Sequence, residues 1–205
     1  GAMSKYPIIV FEGVEGSGKT THINNVCKYL KKKNKKFVKI REPGGSRNSE
    51  LIRKLLLNNK STFNKKTDLL LMLASRSENI EKFIMKYKKK RIILIDRFTD
   101  STIAYQHFGM GISIKIIKII NNFLLKNITP DFTFLNIVDK KNLLLRLKNR
   151  KNKNRYDNFN YSFYNKVQKG FIKLSKKKNY MIIDSNQSKL NNKKKILNKV
   201  NELIK

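Results

Sequence analysis

The sequence predicts an α/β protein: a five-stranded, mostly parallel sheet with helices on both faces and a short mobile lid. Two observations carry this. Short apolar runs alternate with longer helical segments, as in repeated strand-helix-strand units. In addition, Gly13-Val14-Glu15-Gly16-Ser17-Gly18-Lys19-Thr20 spells a complete phosphate-binding loop between the apolar run Ile8-Ile9-Val10-Phe11 and a helix-like segment, which is the context such a loop requires. A chain of 205 residues is long enough to bury an α/β core without disulfides or metals, so one domain is expected over 4–205, with the lid at about 150–158.

The first strand, Ile8–Phe11, delivers the loop. Wrapping phosphate oxygens brings successive N–H groups together in conformations most side chains forbid, hence glycine at Gly13, Gly16 and Gly18. Lys19 reaches the β- and γ-phosphates, and the Thr20 hydroxyl sits where a magnesium ligand belongs. The helix predicted over Thr20–Lys32 points its positive end at the triphosphate. Gly13 through Thr21 therefore form an ATP site, and the fold expected is that of the P-loop NTPases.

The second strand, Phe37–Ile40, runs into Arg41-Glu42-Pro43-Gly44-Gly45-Ser46. This is either a rigid loop lining the cleft or ordinary turn chemistry. Helices follow over Ser49–Leu57 and Thr67–Lys88. In the latter, Leu69, Met72, Leu73 and Arg76 share a face, a stripe that suits a stacked base or simply a core.

The third strand, Arg91–Ile95, ends in Asp96 and Arg97. Asp96 is placed to orient hydrated magnesium, and Arg97 to aim a planar, permanently charged fork at a phosphate, although a structural ion pair has the same signature. Asp100-Ser101-Thr102-Ile103-Ala104-Tyr105-Gln106 offers hydroxyls and an amide that can read base edges or cap a helix. Helices at Ser113–Lys126, Lys140–Asn149, Tyr161–Lys177 and Lys189–Ile204 flank strands at Phe132–Ile137 and Tyr180–Ile183, and 150–155 reads as a mobile basic loop. In a parallel sheet, loops beyond the carboxyl ends of the strands converge on one cleft.

The formal charge of +33 invites a nucleic-acid reading. However, the basic residues are mostly lysines scattered among asparagine and isoleucine, a chain-wide drift in composition that implies at most nonspecific, charge-driven binding. Against that drift, the 14 acidic residues and nine arginines are informative where they fall in the motifs above, as Glu15, Arg41, Glu42, Arg76, Asp96, Arg97 and Asp100 do. One cysteine, Cys27, cannot form an internal disulfide, and no apolar run approaches the roughly 18 residues of a membrane span. Gly1-Ala2-Met3 looks like a cloning remnant, no export signal follows it, and a cytoplasmic protein is expected.

Taken in order, Phe11-Glu12-Gly13 through Thr21, Arg41 to Gly45, Ala74-Ser75-Arg76, Asp96-Arg97-Phe98 and Ala104-Tyr105-Gln106 resemble the thymidylate kinases of bacterial type, from about Tyr6 to Ile204. The resemblance implies a homodimeric nucleoside monophosphate kinase that moves the γ-phosphoryl group of Mg-ATP to dTMP, giving dTDP and ADP for dTTP biosynthesis. It implies that Glu15 approaches the acceptor's 3′-hydroxyl and that Arg97 and Arg53 hold its phosphate. Arg76 lies near the thymine carbonyl, with Ser101, Thr102 and Gln106 around the base and Glu42 and Pro43 lining the same pocket. Arg155 matches the end of the lid, where an arginine supplies charge to the transferring group; Arg150 is the second candidate. Lys19, Thr20 and Asp96 form the donor side, with magnesium held by Thr20 and Asp96, partly through water.

Two departures stand out: Met72 occupies a position where many members carry a stacking phenylalanine, and His107-Phe108 replaces small residues. At this stage a related kinase acting on dUMP, dGMP or a deoxynucleoside stays open, as does a noncatalytic nucleotide-dependent binder of RNA or DNA.

Overall fold

The computed structural model describes residues 6–151 and 153–205; Gly1-Ala2-Met3 lies outside them. Its centre is a parallel sheet of β1 (Ile8–Gly13), β2 (Phe37–Arg41), β3 (Ile92–Asp96), β4 (Phe132–Ile137) and β5 (Tyr180–Asp184), in the order β2-β3-β1-β4-β5. These are the five strands expected. The order reverses at β1, so the phosphate loop leaves the sheet where neighbouring connections diverge, the position at which such sheets bind ligands.

Alternation along the strands explains the two layers. Ile9 and Phe11 of β1, with Ile92 and Leu94 of β3, face α1 (Lys19–Lys32) and α9 (Lys189–Leu203) through Ile23, Val26, Leu30, Ile196 and Val200. Ile8 and Val10, with Ile93 and Ile95, point to the other side, against Ile80, Ile84 and Phe98. Both faces of the central strands are covered, which is why Ile8–Phe11 of β1 and Ile92–Ile95 of β3 are continuously apolar, whereas β2 exposes Lys39 and Arg41. Each fully buried Ile or Leu contributes about 1.5–3 kcal/mol.

On that second side lie α2 (Arg47–Leu57), α3 (Lys65–Asn79), α6 (Ile114–Leu125), α7 (Lys140–Lys148) and α8 (Tyr161–Leu174). The helix expected over Thr67–Lys88 runs as α3, a π-helical turn at Ile80–Ile84 and α4 (Met85–Tyr87). The drift toward asparagine is put to structural use: Asn64 and Asn160 accept N–H groups of the first turns of α3 and α8, a cap worth about 1 kcal/mol.

Besides a 3-10 turn at Arg155–Asn158, one helix was not expected. After β3 the chain forms α5 (Thr99–Thr102) and a π-helical segment, Ile103–Gly109. The polar Asp100, Ser101 and Thr102 obscured it, while Ala104 and Tyr105 pack against Val167 and Phe171 of α8. Among the described residues no helix is long and apolar enough to cross a membrane.

Candidate active site

The loop after β1 has the geometry its glycines predict. Gly13 stands at φ +145, where a Cβ would lie 2.7 Å from the Asn136 carbonyl, and Gly18 at φ +86 turns the chain into α1. Both backbones are closed to side chains, so neither residue is replaceable without strain. Lys19, the first residue of α1, is buried and pairs with Asp96 at the end of β3. Burial and the charge of Arg97 push its ammonium below the ordinary lysine range despite Asp96. Burial works to raise the Asp96 carboxyl, but Lys19 and Arg97 outweigh it and hold the group down.

A cavity of about 1040 Å³ begins at this loop and extends under β2 and β3. Its volume lies at the top of the roughly 300–1,000 Å³ range of small-molecule sites. One end is bordered by residues 14–21 of the phosphate loop and early α1. The other is bordered by Glu42, Arg53, Met72, Arg76, Arg97, Ser101 and Thr102. These acceptor-side residues thus meet in space although they come from the turns after β2 and β3 and from α2, α3 and α5.

The charges between the two ends are tightly paired. Arg97 donates to Glu15 at 2.6 Å and to the Tyr105 hydroxyl at 3.0 Å, and Arg150 donates to the other Glu15 oxygen at 2.6 Å. Burial works to raise the Glu15 carboxyl, but Arg97, Lys19 and Arg150 hold it down at about 2. Burial lifts Tyr105 to about 12, against the pull of Arg97.

Deeper in, Arg76 is locked. Its Nε and Nη2 donate to Glu42 at 2.9 and 2.7 Å, Nη2 also to Thr102 at 2.8 Å, and Nη1 to Asn121 at 2.7 Å. A guanidinium has five N–H donors, so one Nη1 hydrogen is left for a ligand.

Four expected residues stand apart from the cavity wall: Gly13, whose backbone abuts Asn136, and Pro43, Gln106 and Arg155. Pro43 offers its carbonyl to Arg53 at 2.7 Å, and its peptide with Glu42 is cis. Gln106 is fully buried, and neither of its amide atoms finds a partner among the described residues. Arg155 is turned away toward Asp68 at 2.6 Å and the Leu56 and Phe63 carbonyls, because the buried Asp68 carboxylate demands a cation. Of the two lid candidates, Arg150 is the one in the cleft; Asn152, within the lid expected at 150–158, lies outside the described residues.

Sequence reasoning missed Arg146 of α7, which borders the cavity and donates to the Gly16 carbonyl at 2.6 Å. Its signal was the scarcity of arginine in a lysine-rich chain. Tyr105 and Tyr156 also border the cavity.

Among the described residues no cluster of three or more His, Cys, Asp or Glu could hold a metal by itself. Thr20 and Asp96 nevertheless face the cavity, and one hydroxyl with one carboxylate is the sparse set of hard oxygens that suits magnesium arriving with phosphates and water.

A phosphate cradle and a second, arginine-lined pocket opening on one cavity define a P-loop phosphotransferase of the nucleoside monophosphate kinase class. A profile of the thymidylate kinase family matches residues 11–196. The chain is 42% identical to a thymidylate kinase of Thermosipho africanus over 88% of this chain and 90% of that protein. It is 39% identical to one of Vesicomyosocius okutanii over 91% and 93%. The crystal structure of thymidylate kinase from Ehrlichia chaffeensis superposes with a TM-score of 0.77 at 30% identity, covering 96% of this chain and 98% of that one. The chain belongs to the thymidylate kinase family.

Proposed function

We propose that the chain transfers the γ-phosphoryl group of Mg-ATP to dTMP, yielding dTDP and ADP, in the cytoplasm on the route to dTTP. The observation that carries this is the single cavity bordered at one end by Lys19 and the phosphate loop and at the other by Arg97, Arg53 and Arg76.

The attacking oxygen belongs to a phosphate already mostly ionised, so no covalent intermediate and no strong base are needed. Catalysis is positioning plus charge neutralisation. Lys19 takes donor phosphate oxygens, releasing Asp96. Arg97 and Arg53 hold the acceptor phosphate, which takes over the place of Glu15 on Arg97 and frees the Glu15 carboxylate for the sugar hydroxyl. Arg76, fixed by Glu42, Thr102 and Asn121, presents its remaining N–H to a base carbonyl beside Met72. Arg150 stabilises charge on the group in flight, and closure of the segment around it excludes water. Thr20 and Asp96 would hold magnesium, which supplies further neutralisation of the phosphates when bound.

A second copy of the chain is the proposed partner. Ile116, Ile119 and Phe123 form an exposed apolar stripe on α6, with Phe123 79% exposed. A contiguous stripe of this kind is costly in water and supports a self-complementary interface.

The test is ADP release from Mg-ATP with dTMP, dUMP, dGMP and thymidine supplied separately, at moderate salt. A clear preference for dTMP is expected. Turnover with another acceptor alone would move the substrate, and none with any acceptor would refute the kinase reading.

A further inference from the structure

Glu12 is the single acid of β1, fully buried, and it does not border the cavity. A carboxyl group at such a position is costly unless it is fully hydrogen-bonded. Both of its oxygens are engaged by one short stretch, the turn from β3 into α5. Oε1 accepts the Phe98 N–H at 2.6 Å, and Oε2 accepts the Ser101 hydroxyl.

That turn carries Arg97, which stands at φ +69. A residue other than glycine keeps this left-handed conformation only when its surroundings fix it from both sides. Here two successive N–H groups are held: that of Arg97 by the Phe11 carbonyl at 2.9 Å, and that of Phe98 by Glu12. Phe98 has no polar side chain to cap α5, and no side-chain cap is present there. The guanidinium aimed by this turn is the one proposed above for the acceptor phosphate, so the inference rests on that reading of Arg97.

We propose that Glu12 is a positioning residue for Arg97: it clamps the left-handed turn from behind and thereby fixes where the guanidinium stands in the cleft, while touching neither substrate. Burial and the neighbouring Asp100 charge raise its carboxyl to about 7, against the hydrogen bonds of Ser101 and Phe98 and the charge of Lys19. Glutamine keeps the length of the side chain and removes its charge. Its carbonyl accepts from Phe98 and its amide donates to the Ser101 oxygen. Aspartate keeps the acid but is one methylene too short to reach the turn.

The experiment has two arms on the full chain, using Glu12→Gln, Glu12→Asp and Glu12→Ala. In the first, arginine Nε–H resonances are recorded without substrate, the Arg97 signal being assigned by its loss in Arg97→Ala. That signal stays sharp and unshifted in wild type and Glu12→Gln, and broadens or shifts in Glu12→Asp and Glu12→Ala. In the second, kcat/KM for dTMP falls at least about tenfold in Glu12→Asp while KM for ATP stays within about twofold, and the loss disappears in the Arg97→Ala background because both changes act through one group.

An Arg97 resonance and dTMP kinetics at wild-type values in Glu12→Asp would overturn the proposal. So would a full-sized loss persisting without Arg97, or equal losses for donor and acceptor. If Glu12→Ala does not fold, Glu12→Asp and Glu12→Gln decide. If wild type shows no dTMP turnover, the acceptor reading falls, and the resonance arm still decides the role of Glu12.

Discussion

The two lid arginines should separate rate from stability. Arg155 is held against Asp68, whose side chain is 1% exposed, at 2.6 Å, and also donates to the Leu56 and Phe63 carbonyls. Arg155→Ala strands that carboxylate, leaving it the Tyr156 hydroxyl at 3.3 Å. Removing one partner of a buried pair costs about 3–5 kcal/mol, a large share of the roughly 5–15 kcal/mol that holds a domain together. Arg150 is different: its side chain is 35% exposed, and each of its partners keeps another donor, Glu15 in Arg97 and the buried Asp157, 2.6 Å from Arg150, in the Asn154 N–H at 2.7 Å. Arg150→Ala should therefore cost less stability than Arg155→Ala, about 1–3 kcal/mol, yet lose one preorganised cation in the cleft, worth about 10²–10³ in kcat. The assay pairs urea unfolding with acceptor-dependent ADP release per folded molecule. A slow but stable Arg155→Ala, or an unstable but fully active Arg150→Ala, would refute the assignment of the two roles.

Three further outcomes are expected. Glu15 has a carboxyl held at about 2 in the folded chain, by Arg97, Lys19 and Arg150 against burial, from an ordinary 4.5; a depressed acid stabilises above its unfolded value and loses that contribution as pH falls through the folded one. Urea stability should therefore drop between about pH 4.5 and 2 by at most about 3 kcal/mol from this group, and an unchanged slope in Glu15→Gln would show that Glu15 carries none of it. Phe123→Asp should convert a dimer to a monomer in sedimentation at micromolar concentration, and a wild-type monomer would remove α6 as the interface. Met72→Ala should raise KM for dTMP by up to about tenfold, the value of a thioether against a ring, with kcat nearly unchanged; an unaltered KM would take Met72 out of the base pocket.

What was legible in the sequence follows from physics that is local. The central strands β1 and β3 announce themselves because both of their faces are covered and their runs are continuously apolar. The phosphate loop announces itself because its backbone tolerates only glycine at several positions. What was not legible depends on tertiary partners. The helix from Thr99 to Gly109 was hidden because its first residues are polar for reasons outside the helix: Ser101 answers Glu12, and Asp100 answers Lys177 and Tyr180. The separation of Arg150 from Arg155 is decided by Asp68, 87 residues away along the chain. Glu12 stood in plain view inside a motif, but its task is set by the turn after β3.

The distribution of arginine joins the composition to the site. Lysine serves wherever a solvated charge is enough, yet six of the nine arginines border the nucleotide-sized cavity: Arg41, Arg53, Arg76, Arg97, Arg146 and Arg150. A guanidinium keeps its charge when buried and offers a fixed fork to phosphate or carboxylate, whereas an ammonium is readily discharged by desolvation. Lys19 shows that tendency, pushed down by burial and by Arg97. So many cations in one partly dry cleft repel each other, and Glu15, Glu42, Glu50 and Asp96 are the acids that share the same wall. The cleft is therefore arranged around negative charge that the protein itself only partly supplies. Phosphates entering it would relieve repulsion as well as form hydrogen bonds, and in the proposed reading the relief includes the repulsion between Lys19 and Arg97, one on the donor and one on the acceptor side of the transferred group.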